Sequence, residues 1–365
     1  MAERVLLLSS SLSLRGTSVY TVSLARELKL RGAKVAVMTP GGILEGALEE
    51  QDIQVIRAPV HGPMLRDLLY LPSLIELARD FDPELIHAQS HPLALVGGLL
   101  AAACDVPDVV TVHTQVARPL RVAPGARTLA IAVSEDVRQA LVTAGRFPRE
   151  RIRVIPNGVA ASLSALEDEE ERPGELPVVG TVGRLAAGRG VETFLAAARL
   201  VLDQGARTCF VVIGEGPQEA ALRAQARRLD LNRHLTFVLP RARLAELFRP
   251  LDVFVSVGES EGHGIFILSA MAQARAVVCT GVGGVLSFVR DGENGLLVGR
   301  DDPDALAIRI GGLLAAPEER RRLGRAALHD VRQQFPLHTM VEETLAAYDR
   351  VLAPGTVATP PAFDP

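Results

Sequence analysis

The sequence predicts an α/β protein with two Rossmann-like domains that face a central cleft. Short β-branched runs alternate with helical patterns almost throughout, which is typical of parallel sheets with helices on both faces. The alternation stops at an acidic stretch without periodicity and then starts again. The length of 365 residues also exceeds what one hydrophobic core usually holds.

The predicted strands fall into two sets of short aliphatic and β-branched runs. The first set comprises residues 4–9, 34–39, 53–57, 84–88, 109–113, 129–133 and 153–155. The second set comprises residues 178–182, 209–213, 235–239, 252–257, 276–280 and 296–298. Each set is long enough to form one parallel sheet.

These sets define the expected domains. Residues 1–160 form an N-terminal domain and residues 178–337 a C-terminal domain, with residues 161–177 as the acidic linker. We expect a last helix at residues 338–352 to cross back onto the first domain, and the tail 353–365 to be disordered. Because ligands of open parallel sheets bind at the carboxyl ends of the strands, the site is expected between the domains.

The composition favours a globular protein and argues against nucleic-acid binding, a disulfide framework and a metal site. Hydrophobic residues make up 48% of the chain and charged residues 22%, as in soluble globular proteins. With 39 basic and 43 acidic residues the net charge is −4, which argues against nucleic acid as a partner. Cys104, Cys209 and Cys279 show neither a disulfide framework nor metal-ligand spacing, so a reducing cytoplasm is expected. His87 and His91 are four residues apart but straddle a strand end and a loop, so no metal is expected.

Membrane contact is a separate question. The N-terminal apolar run is too short for a signal peptide, and residues 93–104 are too few to span a bilayer. Residues 64–81 are apolar enough for a lipid-facing helix, although a core helix interrupted at Pro72 is the favoured interpretation. Peripheral membrane contact therefore stays open.

The turn after the strand at residues 252–257 contains the most informative motif. It reads EGHG and places Gly262 and Gly264 before a buried helical run. Free N–H groups at a helix start suit an anionic or hydroxyl-rich ligand, which the glycines allow close to the backbone. Glu261 is suited to accept hydrogen bonds from sugar hydroxyls.

A second turn, GRLAAGRG, places Arg184 and Arg189 beside another helix start. Two guanidiniums at this position are suited to clamp a diphosphate through bidentate, charge-assisted hydrogen bonds. The sequence therefore predicts an anion site on the second domain.

The order and spacing of the motifs resemble those of retaining glycosyltransferase family 4, which has the GT-B fold, over about residues 4–348. The landmarks are SLSLRGTS at 11–18, VTVHT at 110–114, AVSEDV at 132–137, IPNGV at 155–159, GRLAAGRG at 183–190, IGEGP at 213–217, EGHG at 261–264 and TGVGG at 280–284. The resemblance implies transfer of a sugar from a nucleotide-diphosphate sugar to an acceptor hydroxyl, without a required cofactor. The acceptor, a glycan, a lipid or a small molecule, is expected on the first domain.

The resemblance also implies roles for individual residues. The catalytic or charge-stabilising set is His113, Glu261, Arg184 and Arg189. The donor-binding set is Gly16, Thr17, Gly183, Gly214, Glu215, Gly262, His263, Gly264, Ile265 and Ser269.

Several positions depart from the family pattern. Thr17 replaces the second of two glycines, and Arg189 stands in the place of a lysine. Ser269 stands where a second glutamate accepts both ribose hydroxyls, and Pro240 where a small residue is usual. Loss of the charge-assisted acceptor at Ser269 costs roughly 1.5–3 kcal/mol of donor binding.

Two alternatives remain open at this point. The departures at Thr17, Pro240 and Ser269 suit a catalytically weak nucleotide-sugar-binding partner subunit. Sugar-nucleotide 2-epimerases share the two-domain layout, but they need acids and histidines placed to move a proton, and only His113 and Glu261 offer such groups.

Overall fold

The chain folds into two compact units, which we describe separately. The computed structural model describes residues 2–61, 65–122, 127–161, 176–239, 244–259 and 264–353. The first unit comprises Met1–Ser13, Thr17–Asn157 and the segment from His338 onward. The second unit comprises Leu14–Gly16 and Gly158–Leu337. Most of the expected linker, the tail after residue 353 and Pro240 lie outside the described residues.

The described residues of the first unit form a seven-stranded parallel sheet in the order β3-β2-β1-β4-β5-β6-β7. Its strands are β1 Arg4–Leu8, β2 Lys34–Thr39, β3 Gln54–Arg57, β4 Leu85–Ala88, β5 Asp108–Val112, β6 Thr128–Ala132 and β7 Ile152–Val154. Its helices are α1 Gly16–Leu30, α2 Glu45–Glu49, α3 Leu65–Phe81, α4 Ala94–Cys104, α5 Glu135–Thr143 and, from the end of the chain, α12 Leu337–Leu352. The strand order reverses direction between β1 and β4, where Leu6 pairs with both Ala36 and Ile86.

The described residues of the second unit form a six-stranded parallel sheet in the order β10-β9-β8-β11-β12-β13. Its strands are β8 Val178–Val182, β9 Cys209–Ile213, β10 Leu235–Val238, β11 Val253–Ser256, β12 Ala276–Thr280 and β13 Leu296–Val298. Its helices are α6 Val191–Asp203, α7 Glu219–Arg228, α8 Leu244–Phe248, α9 Ile265–Met271, α10 Pro303–Ala315 and α11 Pro317–Gln334. Here the order reverses between β8 and β11.

Burial on both faces explains the continuous apolar strands. Every residue of β5 and of β12 is buried, so neither strand shows the alternation of a half-exposed sheet. Each unit has its own core, built around Leu6, Met38 and Ile86 in the first and Phe194 and Phe210 in the second. A fully buried side chain of this size contributes about 1.5–3 kcal/mol.

Capping residues fix where two of the helices begin. Ser134 precedes α5, and its Oγ accepts a hydrogen bond from the backbone N–H of Val137. Asp302 precedes α10 and accepts from Ala305 N, with Pro303 at the first helical position. These caps satisfy N–H groups that the first turn of a helix leaves without a partner.

The fold class predicted from the sequence is confirmed, and each predicted strand is present with ends within one residue of the prediction. The predicted interruption at Pro72 is wrong, because α3 runs through it. Proline removes one backbone hydrogen bond there. Burial of Leu74, Ala78 and Phe81 holds the following turns in helical form. Among the described helices, none is long and apolar enough to cross a membrane.

A buried polar network ties α12 to the first sheet. The hydroxyl of Tyr348 lies 2.7 Å from Nδ1 of His87, and Nε2 of His87 lies 2.8 Å from Oγ1 of Thr111. Burial, with a smaller contribution from the nearby His113, lowers the pKa of His87 to about 3. His87 is therefore neutral at pH 7, and its two ring nitrogens link α12 to β4 and β5.

A second buried polar group, Asp108, begins β5. One carboxylate oxygen accepts a hydrogen bond from Thr128 Oγ1 at 3.0 Å, while the other has no hydrogen-bond partner among the described residues. Burial raises the pKa of this carboxyl to about 7. The charged form is therefore disfavoured in the folded protein.

Asp108→Asn should change how stability depends on pH. The folded pKa lies above the value of about 3.9 in the unfolded chain, so the native state binds more protons between pH 4 and 7. Stability contributed by protonated Asp108 is therefore lost as pH rises through that window. The amide does not titrate, so the variant should gain relative stability from pH 4 to pH 8, on the order of 3–4 kcal/mol.

Urea unfolding of both proteins at pH 4.5, 6 and 8 measures this difference. The control is Asp105→Asn, which removes an exposed carboxylate at a left-handed position that asparagine tolerates. A stability difference between Asp108→Asn and the wild type that stays constant with pH would contradict the raised pKa.

Candidate functional site

The candidate site lies at the carboxyl edge of the second sheet, where the loops after β8, β9 and β11 meet. Leu185 in the first loop donates its N–H to the carbonyl of Glu215 in the second, at 2.8 Å. The N–H of Glu259 in the third loop donates to the carbonyl of Gly188 in the first, at 3.0 Å. The three loops therefore form one hydrogen-bonded surface at the end of the sheet.

This surface requires glycine at two crossings. A Cβ on Gly190, whose φ is 70°, would lie 2.0 Å from the carbonyl oxygen of Val257. A Cβ on Gly214 would lie 2.0 Å from the carbonyl oxygen of Gly183. No side chain fits at such distances, so the loops approach each other by backbone contact alone.

The two predicted arginines belong to the loop after β8. Arg184 follows the end of the strand and is half-buried, and Arg189 is exposed and precedes Gly190, the N-cap of α6. Neither guanidinium forms an ion pair or hydrogen bond with another described residue. Both positive charges thus lie beside a helix start whose dipole has the same sign. The arrangement suits a multiply charged anion.

The helix after β11 begins at Gly264, which has φ 52° and abuts the ring of Phe288. Ser269 is buried in this helix, and its hydroxyl donates to the carbonyl of Ile265 at 2.7 Å. The proton of Ser269 is therefore used within its own helix. The side chain is too short to replace a glutamate that accepts two ribose hydroxyls.

Two of the predicted donor residues come together within the second unit. The segment Leu14–Gly16 packs with that unit, and a Cβ on Gly16 would lie 2.9 Å from Cγ2 of Ile265. Thr17, the next residue, belongs to the first unit, and its carbonyl accepts a hydrogen bond from Thr21 Oγ1. The threonine is therefore part of α1 rather than of a glycine turn.

His113 directly follows β5 in the first unit. It is 8% exposed, and its ring stands edge-on to Tyr20 with the centroids 4.8 Å apart. Thr111, two residues earlier, contacts His87. His113 is close enough to this network to contribute to the lowered pKa of His87.

The structure places the predicted residues in two groups. Along the carboxyl edge of the second sheet it brings together Gly183, Arg184, Arg189, Gly214, Glu215, Gly264, Ile265 and Ser269. His113 and Thr17 lie in the first unit. Glu261, Gly262 and His263 lie outside the described residues.

Sequence reasoning missed some residues of these groups. One of them is Glu259, whose carboxylate oxygen lies 3.3 Å from the position that a Cβ on Gly188 would take. In the sequence, only its place shortly after the end of β11 indicates that it belongs to this edge. Tyr348 is 261 residues from His87, so no local pattern indicates their contact. Among the described residues, no group of three or more His, Cys, Asp or Glu side chains is arranged to hold a metal.

The chain belongs to glycosyltransferase family 4. Residues 14–163 match the family described as Glycosyltransferase Family 4, and residues 164–330 match Glycosyl transferases group 1. The chain is 30% identical to D-inositol 3-phosphate glycosyltransferase of Acidothermus cellulolyticus over 392 aligned residues, which cover 93% of this chain and 86% of the relative. It is also 30% identical to alpha-maltose-1-phosphate synthase of Mycolicibacterium smegmatis, over 73% of this chain and 79% of the relative. The protein is therefore a glycosyltransferase.

Solved structures show a similar fold. Anabaena Alr3699/HepE, solved in complex with UDP and glucose, superposes with a TM-score of 0.76 at 21% identity, over 96% of this chain and 100% of that one. Sucrose-phosphate synthase from Thermosynechococcus elongatus superposes with a TM-score of 0.71 at 22% identity, over 96% and 99% of the two chains. The fold is that of the GT-B glycosyltransferases.

Gly190→Ala should destabilise the protein more than Gly205→Ala, a substitution at another glycine with positive φ. Alanine at a positive φ costs about 1–2 kcal/mol, and the clash with the Val257 carbonyl adds to it. The matched control is Gly205→Ala, at φ 81° with no atom within 4 Å of the added Cβ. Urea unfolding should give a larger loss for Gly190→Ala by at least about 1 kcal/mol. Equal losses would mean that the close approach has no energetic weight.

Proposed function

We propose that this glycosyltransferase takes its sugar from a nucleotide-diphosphate donor and holds the diphosphate at the carboxyl edge of the second sheet. The main support is the pair Arg184 and Arg189, which have no carboxylate partner among the described residues. Backbone hydrogen bonds between the loops hold the loop after β8, which contains both arginines. Guanidiniums in this setting bind phosphate oxygens through paired hydrogen bonds.

The same arginines suit the chemistry of the transfer. In the transition state the sugar becomes oxocarbenium-like while the diphosphate leaves with growing negative charge. Positive groups already aimed at the leaving group stabilise that charge without reorganisation. We therefore assign Arg184 and Arg189 to leaving-group stabilisation. Glu261, with His113 of the first unit, is proposed to contact the donor sugar.

A uridine nucleotide is the first donor to test. Alr3699/HepE of Anabaena was solved in complex with UDP-glucose, and that chain shares 22% identity with this one. The hydroxyl of Ser269 is already bonded to the Ile265 carbonyl, so it supplies no charged acceptor to a ribose. We expect a donor affinity that depends strongly on the arginines.

Arg184→Gln should abolish stabilisation by the donor nucleotide. At about a hundred times its dissociation constant, a ligand stabilises the folded protein by roughly 2.7 kcal/mol, which raises the melting temperature by several degrees. Thermal unfolding of the wild type with UDP, GDP or ADP should show such a shift for one of them. The same nucleotide should shift Arg184→Gln by much less.

The control is Arg207→Gln, which removes an exposed arginine before β9, at the opposite edge of the sheet. This variant should respond to the nucleotide as the wild type does. A full shift in Arg184→Gln, or the absence of any shift in the wild type, would contradict the proposed donor site.

We further propose that the transfer retains the anomeric configuration, as the family resemblance implies. We assign no second carboxylate as a nucleophile, and we propose that the acceptor attacks from the face that the diphosphate leaves. The departing phosphate oxygen then assists removal of the acceptor proton. NMR of the product from an α-linked donor should show an α linkage, and a β linkage would refute this mechanism. A matched incubation without acceptor should show the donor intact.

The proposed location is the cytoplasm, either free or at a membrane surface. Cys104, Cys209 and Cys279 are all free thiols in the structure, which supports a reducing compartment. The first unit is proposed to bind the acceptor.

A further inference from the structure

The first unit contains a cavity of about 590 Å³ beside the carboxyl ends of β4 and β5. One wall is the short segment after β4, with His91 and Leu95, and the other is the loop after β5, residues 115–121. The two strands are neighbours in the sheet, so both walls leave the same edge. This volume is typical of sites for small molecules, and parallel sheets bind ligands at this edge.

The charges around the cavity have one sign. Arg118 and Arg121 both line it, and neither is paired with a carboxylate among the described residues. No acidic residue is among those that line the cavity. Burial lowers the pKa of His91, so this imidazole contributes a hydrogen-bonding group rather than a charge at pH 7. The positive field comes from the two guanidiniums.

The remaining residues that line the cavity provide both polar groups and apolar surface. Leu95 belongs to the first turn of α4, so the partial positive charge of that helix start faces the same region. Gln115 offers an amide, whereas Pro92, Val116 and Leu120 contribute apolar surface. The cavity can therefore hold one anionic group and a larger uncharged body.

We propose that this cavity binds the acceptor, and that the acceptor carries a phosphomonoester held by Arg118 and Arg121. This inference rests on the proposed function, because it names the substrate class of the proposed acceptor unit. A phosphomonoester carries close to two negative charges at pH 7 and three acceptor oxygens. Two guanidiniums match its two negative charges and can share its three oxygens, whereas a carboxylate carries one charge and two oxygens. A phosphorylated small molecule and a phospholipid headgroup share this chemistry.

The test is binding of small phosphates to the full chain with UDP at saturation, so that the proposed donor site is already filled. The probes are inorganic phosphate and glycerol 3-phosphate, with glycerol as the uncharged counterpart. Binding of each probe is measured by isothermal titration calorimetry. The double variant Arg118→Gln/Arg121→Gln should bind both phosphates at least about ten-fold more weakly than the wild type. The matched control is Arg26→Gln, which removes an exposed arginine on α1 and should bind as the wild type does.

The outcomes separate the two sources of the phosphate. Co-sedimentation with vesicles of phosphatidic acid in phosphatidylcholine, lost in the double variant, would assign the phosphomonoester to a lipid headgroup. Binding of glycerol 3-phosphate without vesicle binding would assign it to a soluble acceptor. Equal phosphate binding by the wild type and the double variant, or glycerol binding as tight as that of glycerol 3-phosphate, would overturn the proposal. Circular dichroism melting of the double variant shows that it is folded in each comparison.

The same titrations distinguish this proposal from the donor proposal. UDP binding is measured first, in the wild type and in both variants. If UDP fails to bind while glycerol 3-phosphate binds through Arg118 and Arg121, the donor site is wrong and the anion cavity stands. If UDP binds and the double variant keeps full phosphate binding, the donor site stands and the cavity proposal fails.

Discussion

The contact of backbone with backbone at the carboxyl edge of the second sheet is the constraint on which the candidate donor site depends. Gly190 and Gly214 leave no room for a Cβ, so the loops after β8, β9 and β11 meet through carbonyl and amide groups. Each such loop hydrogen bond contributes only about 0.5–1.5 kcal/mol. Their common effect is geometric, because they fix the loop after β8 that contains Arg184 and Arg189. If this loop were mobile, ordering it on binding would cost free energy and would weaken the affinity for a diphosphate.

In the first unit, buried side chains rather than backbone contacts hold neighbouring elements together. His87 has a folded pKa far below neutral, so its ring is an uncharged linker between Tyr348 and Thr111. A charged imidazole in this position would have to be desolvated, which the fold avoids. Tyr348 of α12 thus helps to hold His87 against β5, the strand that precedes His113. Tyr348 and His87 are 261 residues apart, so the sequence gives no local indication of their contact.

The sequence predicted the architecture well because buried parallel strands are short apolar runs, and each predicted strand exists. It failed at Pro72, where burial of the flanking helical turns outweighs a local breaker. Motifs built on glycine and arginine located the edge of the second sheet, since turn geometry limits which residues fit there. The cavity residues Arg118 and Arg121 escaped notice, because they lie in an irregular loop without periodicity. Tyr348 escaped because tertiary contacts between distant segments leave no local pattern.

The arginines that we assign to ligands differ from the other arginines of the chain in their position at the carboxyl edge of a sheet. Arg31 and Arg199 each bond a carboxylate one helical turn away, as surface arginines commonly do. Such pairs contribute about 0.3–0.5 kcal/mol, so a chain with 43 acidic residues loses little by leaving a few arginines unpaired. The arginines assigned to ligands lie in loops that follow the carboxyl ends of strands, whereas the control residue Arg207 precedes β9 at the opposite edge. Because the hydroxyl of Ser269 is bonded within its own helix, we propose that Arg184 and Arg189 carry the recognition of charge at the second sheet. Substrate affinity in this chain should therefore depend on guanidinium to phosphate contacts more than on recognition of ribose.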